Sequence, residues 1–156
     1  AKVLAHELEP YKLMFLRKSF YQKMKNFQSI ANQVSTPLAT GERLITRWEY
    51  KRLFQQGAVD IIQPDVALCW RDFRNEKIVS MAEAYDMAAA PHAPYGPIAL
   101  AATLQSGVCS PNVFYSGAEL GIHYNKGFDL LGFIKNKEVF QYKDGYVDIP
   151  KNQDWD

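Results

Sequence analysis

The sequence predicts an α/β fold in which a parallel sheet is covered by helices. Short, nearly continuous apolar runs recur along the chain, the pattern of strands buried on both faces. Segments with three- and four-residue apolar spacing separate them, the pattern of amphipathic helices. Parallel crossovers lay helices over the faces of a sheet, so this alternation points to a parallel arrangement.

Val3, Leu4 and Leu8 fall at helical spacing and Pro10 ends the pattern, so residues 1–9 read as a short helix. Leu13 to Leu16 is a compact apolar run suited to a buried strand; Phe20, Met24, Phe27 and Ile30 then recur as one face of a helix. Thr36 to Thr40 reads as a second strand, Gly41 as a turn, and Trp48 to Gln56 as a helix stopped by Gly57. Val59 to Ile62 is apolar and β-branched, a third strand, and Asn75 to Tyr85 supplies a helix burying Ile78, Val79, Met81 and Ala82. Met87 to Ala90 reads as the fourth strand, Pro91 to Pro97 as a turn-rich loop, Ile98 to Gln105 as a helix and Asn112 to Tyr115 as the fifth strand. A helix is expected from Phe128 to Ile134 and an extended segment near Val139 to Ile149. With no low-complexity linker, one domain over residues 1–150 and a polar tail over 151–156 are expected.

At 156 residues the chain has the size of one ordinary domain. It is 47% hydrophobic and 22% charged, with 18 basic against 17 acidic residues, which fits a folded soluble domain. That balance gives no pull toward nucleic acid or anionic lipid, and the longest apolar runs, such as Ile98 to Leu104, are too short to span a membrane. The plentiful Tyr and Phe sit mostly at helical spacing, as core residues rather than base-stacking platforms, so no nucleic acid partner is expected. Cys69 and Cys109 lack metal-ligand spacing and read as buried free thiols, which fits an intracellular location, cytoplasmic or within an organelle. The chain opens without Met or a signal-like segment and reads as starting at a processing site or inside a longer protein.

In parallel α/β folds the loops leaving the C-terminal ends of the strands gather on one rim, where chemistry is placed. The polar residues following successive strands are Arg17 and Lys18, Glu42, Asp65 and His92, with Ser116 and Gly117 after the last. Carboxylates, an imidazole and a guanidinium on one rim can bind an anion or a metal, or move a proton. Taken singly, Glu42 capping a loop, Asp65 satisfying turn amides and His92 serving structurally between prolines are equally ordinary readings.

The stretches 36–43 (TPLATGER), 59–65 (VDIIQPD), 81–86 (MAEAYD), 90–100 (APHAPYGPIAL) and 120–125 (LGIHYN) resemble, in order, the galactonate-type sugar-acid dehydratases of the mandelate-racemase group, enolase superfamily. The resemblance runs to about Pro150. It implies a partial β/α barrel, about the last five strands of an enolase-type eight-stranded barrel. An unrelated α/β binding module would require all five matches to be accidental. In that family a magnesium ion held by three carboxylates stabilises the enolate formed when a base removes the proton beside the substrate carboxylate. The resemblance implies that Glu42 matches the third metal ligand. Asp65 and His92 match a dyad in which the aspartate orients a histidine acting as general acid or base.

Several positions depart from that pattern. The family's Phe-Ile-Glu-Glu-Pro motif supplies the second metal ligand, but here Phe15-Leu16-Arg17-Lys18-Ser19 puts the cation Arg17 at that position, leaving Glu42 as the single remaining ligand. Gly117 stands where the family has a glutamate, Glu119 is displaced by two residues, and Trp70 to Arg74 replaces a Gly-Gly turn, so the pocket is expected to be reshaped. These departures imply a degenerate dehydratase-like portion, non-catalytic as it stands and acting as a structural or interaction subunit, with no cofactor for this chain alone. Arg17 is then expected to form an internal salt bridge with Glu42 or Asp65. The alternative is an active magnesium-dependent lyase acting on a sugar acid, completed by an N-terminal region or partner chain. Open barrel edges predict a covering protein partner or self-association.

Overall fold

The computed structural model describes residues 2–17, 25–69, 72–118 and 130–150. In chain order the elements are α1 (Lys2–Leu8), β1 (Leu16–Arg17), α2 (Lys25–Ala31), β2 (Leu38–Thr40), α3 (Arg47–Gln55), β3 (Ile61–Ile62) and α4 (Asp72–Glu83). There follow β4 (Ala88–Ala89), β5 (His92–Ala93), α5 (Pro97–Val108) and β6 (Gly117–Ala118), then 3₁₀ turns at Leu130–Phe133 and Lys137–Phe140. Strands β1 to β4 form one sheet in sequential order with every neighbouring pair parallel. Beyond β4, Val113 bridges Ala89 and β6 pairs in parallel with β5, so the pairing continues in the same direction along the chain. The α/β fold with a parallel sheet is therefore as the sequence implies.

The two faces of this sheet differ, and the two-residue period of a strand sorts them. Leu16, Leu38, Ile62 and Ala89 pack into the large core with Phe27, Ile30, Tyr50, Leu53, Phe54, Ile78 and Val79 from the helices. Their sequence neighbours Phe15, Ala39, Ile61, Ala88 and Ala90 form a separate cluster on the helix-free face. Register ties the second set into a row, with Arg17 opposite Ala39, Ala39 opposite Ile61, and Ile61 opposite Ala88. Arg17 thus belongs to the helix-free face.

Side chains fix the strand ends. Asp60 accepts a hydrogen bond from the Leu38 amide at 2.8 Å, tying the start of β2 to β3. Asn112 donates to the carbonyls of Val79 and Met87 at 3.1 and 3.0 Å, fastening the next strand to the end of α4 and the approach to β4. Asn75, buried in α4, donates to Ser106 of α5 at 3.0 Å. Helix α3 begins with a capping box: Thr46 accepts from the Glu49 amide while Glu49 accepts from the Thr46 amide and hydroxyl. Burial opposes the Glu49 charge, yet hydrogen bonds from Thr46 and Ile45 outweigh it and hold the carboxyl below its ordinary range.

Several expectations are corrected. The loop predicted from Pro91 to Pro97 contains a strand, because His92 and Ala93 find parallel partners in β6. The last strand extends to Ala118, so Ser116 and Gly117 lie before and in it rather than after it. Around 139–149 the chain is not extended throughout: the 3₁₀ turn reaches Phe140, and Lys143 and Tyr146 close a tight antiparallel bridge around Asp144 and Gly145, both at positive φ. Cys109 is exposed at the end of α5, whereas Cys69 is buried as expected and burial pushes its thiol up to about 11. Residues 18–24, 70–71, 119–129 and 151–156, including Glu119, Trp70, the 120–125 stretch and the polar tail, lie outside the described residues. No helix among the described residues is long and apolar enough to cross a membrane.

One contact couples this core to the rim. The Tyr50 hydroxyl, in a fully buried side chain of α3, donates to the Gly41 carbonyl at 2.7 Å. Gly41 has φ of 127°, and a Cβ there would meet the Tyr50 hydroxyl at 3.0 Å, so only glycine fits. Tyr50→Phe removes this bond and leaves the carbonyl only the Leu44 amide at 2.9 Å, and urea unfolding is expected to show a loss of about 0.5–1.5 kcal/mol. Gly41→Ala is expected to cost at least as much, through clash and backbone strain together; unchanged unfolding midpoints in both variants would contradict this account.

Candidate functional site

The site is assembled by an isolated parallel bridge between Asp65, past the end of β3, and His92 of β5. His92 donates its backbone amide to the Pro64 carbonyl at 2.9 Å, and Asp65 and His92 bridge in parallel, so the backbone itself sets the two side chains side by side. The Asp65 Oδ1 accepts from the amides of Ala67 and Leu68 at 2.9 and 3.2 Å, which fixes the carboxylate plane. Its Oδ2 lies 2.8 Å from His92 Nδ1. Asp65 is 1% and His92 12% exposed at the side chain, so the pair is shielded while part of the ring reaches the surface. A carboxylate at Nδ1 favours the tautomer with its proton there, leaving the Nε2 lone pair to take a proton from a ligand. The arrangement can accept or return a proton at Nε2.

Glu42 follows β2 directly after the Gly41 turn and is 5% exposed. Burial raises the Tyr50 phenol well above its ordinary range, with Cys69, Glu42 and Asp65 adding in the same direction, so it remains a neutral donor to the turn that carries Glu42. Tyr95, three residues past His92, sets its ring edge-on to the imidazole with centroids 6.4 Å apart. Burial raises its phenol, and the Asp65 charge and a hydrogen bond with Asp65 add to the effect against the opposing Arg43. Sequence spacing did not single out Tyr50, Tyr95 or Gln63. Tyr95 was the most accessible of these, since it shares the His92 loop; Tyr50 looks like any helix-face aromatic until its partner is seen.

Arg17 is exposed. It makes no ion pair with Glu42 or Asp65 among the described residues, whereas His92 pairs with Asp65. The expected internal salt bridge is therefore not formed, because Asp65 is already engaged by two amides and the imidazole. Gly117 sits opposite His92 in register, and a Cβ there would lie 3.3 Å from the Pro91 carbonyl oxygen, so the strand here is packed close to the dyad backbone.

The donor set among the described residues does not fit magnesium. That ion asks for near-octahedral oxygen coordination, and no cluster of three or more His, Cys, Asp or Glu able to hold a metal occurs among the described residues. Glu42 borders a small cavity of about 50 Å³ with Thr40, Arg43 and Leu44, whose lining brings it no second carboxylate. A larger cleft of about 400 Å³ lies elsewhere, between α5 and the aromatic residues Phe114, Tyr115, Tyr142 and Tyr146, and includes none of Arg17, Glu42, Asp65 or His92.

Comparison with known proteins agrees with this architecture. Residues 1–153 match the enolase C-terminal domain-like family. A D-galactonate dehydratase from Cronobacter sakazakii is 42% identical over 147 residues, covering 94% of this chain and 38% of that protein. A protein from Burkholderia SAR-1 assigned as a mandelate racemase/muconate lactonizing enzyme superposes with a TM-score of 0.83 at 31% identity, over 97% of this chain and 36% of its own. The mandelate racemase/muconate lactonizing enzyme from Sulfitobacter sp. gives 0.82 at 27% identity, over 96% and 36%. The chain thus spans well under half the length of these relatives. It belongs to the enolase C-terminal domain-like family, as a galactonate dehydratase-like member of the mandelate-racemase group with the partial-barrel fold of that domain.

Proposed function

We propose that this chain is a degenerate sugar-acid dehydratase-like barrel portion, non-catalytic as it stands, that serves as a structural or interaction subunit within a single domain spanning residues 1–150. The observation that carries the reading is Arg17, an exposed cation at the strand end where the resemblance implies a metal-binding carboxylate. A guanidinium has no lone pair for a metal and repels a dication, so Glu42 is left as the single ligand and no magnesium is expected for this chain alone. The pair of free thiols supports an intracellular, cytoplasmic setting.

A second reading is favoured by one observation, the intact and well-oriented Asp65 and His92 pair. Under it, the chain is part of an active magnesium-dependent lyase on a sugar acid such as galactonate, completed by other residues or another chain. Dehydration of D-galactonate with magnesium separates the two: the 156-residue chain is expected to show no turnover above buffer. Magnesium-dependent turnover that disappears in His92→Ala would overturn the first reading in favour of the second.

The partner role is supported by the sheet itself. Among the described residues β1 has a strand neighbour on one side only. Val3, Leu4, Tyr11 and Met14, which precede it, are each more than 60% exposed. We expect a protein partner or a second copy to cover this edge, and size-exclusion chromatography with light scattering should report a mass above that of one chain. A stable monomer at micromolar concentration that captures no partner would count against the subunit role.

A further inference from the structure

Neither reading of function uses the cleft of about 400 Å³ beside α5. Its size falls within the range of roughly 300–1,000 Å³ typical of small-molecule sites. Leu100 and Leu104 of α5 line it together with Val147, and these three pack in the apolar cluster that also holds Ala93 and Phe140. One side of the cleft is therefore fixed by core packing. Aromatic rings line much of the rest: Phe114 and Tyr115 come from the chain just before β6, and Tyr142 and Tyr146 from the turn that follows the last 3₁₀ segment.

These four rings stay open to solvent, each 45% exposed or more, although the segments that carry them are held. Tyr115 stands edge-on to Phe15 with ring centroids 6.4 Å apart. Burial raises the Tyr142 phenol and Tyr115 raises it further, which places the two phenols near each other. Lys143 and Tyr146 exchange backbone hydrogen bonds of 2.8 and 2.9 Å, and Gln105 of α5 donates to the Pro150 carbonyl at 2.7 Å, pinning the segment to the helix. Among the described residues Asp144 is the one charged side chain lining the cleft. It sits at the tip of that turn with φ of 52°, a left-handed conformation that Asp and Asn tolerate better than most residues. Ser116 adds a hydroxyl whose shielded Oγ has no hydrogen-bond partner.

The face of an aromatic ring is electrically negative, and a carboxylate adds a full negative charge. Such a lining repels anions, and it offers too few oxygen donors for a bare metal ion. A cation that is weakly hydrated and carries its own apolar surface satisfies both rings and carboxylate. We propose that this cleft binds an organic cation, an alkylated ammonium whose methyl groups lie against the Phe and Tyr rings and whose charge Asp144 balances. The cleft includes none of Arg17, Glu42, Asp65 or His92, so the proposal stands apart from the rim and from whether the chain is catalytic.

Calorimetric titration of choline chloride into the chain tests it, against the neutral carbon analogue in which a tert-butyl group replaces the trimethylammonium. Saturable choline binding with a Kd of about 1 mM or tighter is expected. The analogue has the same shape without the charge and is expected to bind about 10-fold more weakly. Asp144→Asn suits the same left-handed turn, so its expected loss of about 5- to 10-fold reads the charge alone. Tyr146 is 80% exposed, and Tyr146→Leu, which removes the ring but keeps an apolar side chain, is expected to lose about 3- to 10-fold. Circular dichroism matching the wild type is checked for both variants, and the comparison of choline with its analogue needs no variant to fold. Absence of saturable choline binding, equal binding of the neutral analogue, or undiminished binding by Asp144→Asn and Tyr146→Leu would each overturn the proposal. D-galactose binding as tightly as choline would overturn it too, by assigning the cleft to a neutral sugar.

Discussion

The parallel register from β1 to β5 is the constraint on which the rest of the molecule depends. It opposes Arg17 to Ala39, Ala39 to Ile61 and Ile61 to Ala88, and it bridges Asp65 to His92. Because side chains alternate along a strand, a slip of one residue would send Leu16, Leu38 and Ile62 out of the helix-covered core and Arg17 into it. Burial of that core therefore also decides which polar groups share the opposite face. Packing energy and site geometry are set by one pairing.

Within that frame the rim divides into a firmly held part and an exposed part. The held part is overdetermined: Asp65 is fixed by two backbone amides, by its own backbone bridge and by the imidazole, so its carboxylate has little freedom. Glu42 is positioned through the Gly41 turn, which in turn depends on the buried Tyr50 hydroxyl. At position 17 this chain carries an exposed guanidinium where the resemblance implies a carboxylate. Such an exchange would shift the local charge by two units, enough to weaken the hold on a dication.

Much of the fold was legible in the sequence, and the reasons are particular. Helix α3 was legible because Gly57 stops the run from Trp48 to Gln56, and α4 because Ile78, Val79 and Ala82 keep helical spacing. Strands β2, β3 and β4 fell within the apolar runs assigned to them. What could not be read depended on partners distant in sequence. His92 and Ala93 sit between prolines, a local signal for a loop, yet parallel pairing with Gly117 and Ala118 makes them a strand. Cys109 has the composition of a core residue but falls on the outer side of the end of α5. The places of Asp65, His92 and Glu42 after strands could be read from the sequence, whereas the unpaired Gln63 Oε1 and the Tyr95 ring contact depend on packing that no spacing reveals.

The central claim is electrostatic, that the guanidinium at position 17 keeps a dication from the Glu42 side of the rim. Titration of the chain with manganous ion, followed by electron paramagnetic resonance, tests this most directly because the free ion's signal falls on binding. The account predicts no stoichiometric site in the wild-type chain and a measurable gain of ion binding in Arg17→Glu. A wild-type site that binds one manganous ion per chain and is lost in Glu42→Gln would contradict it.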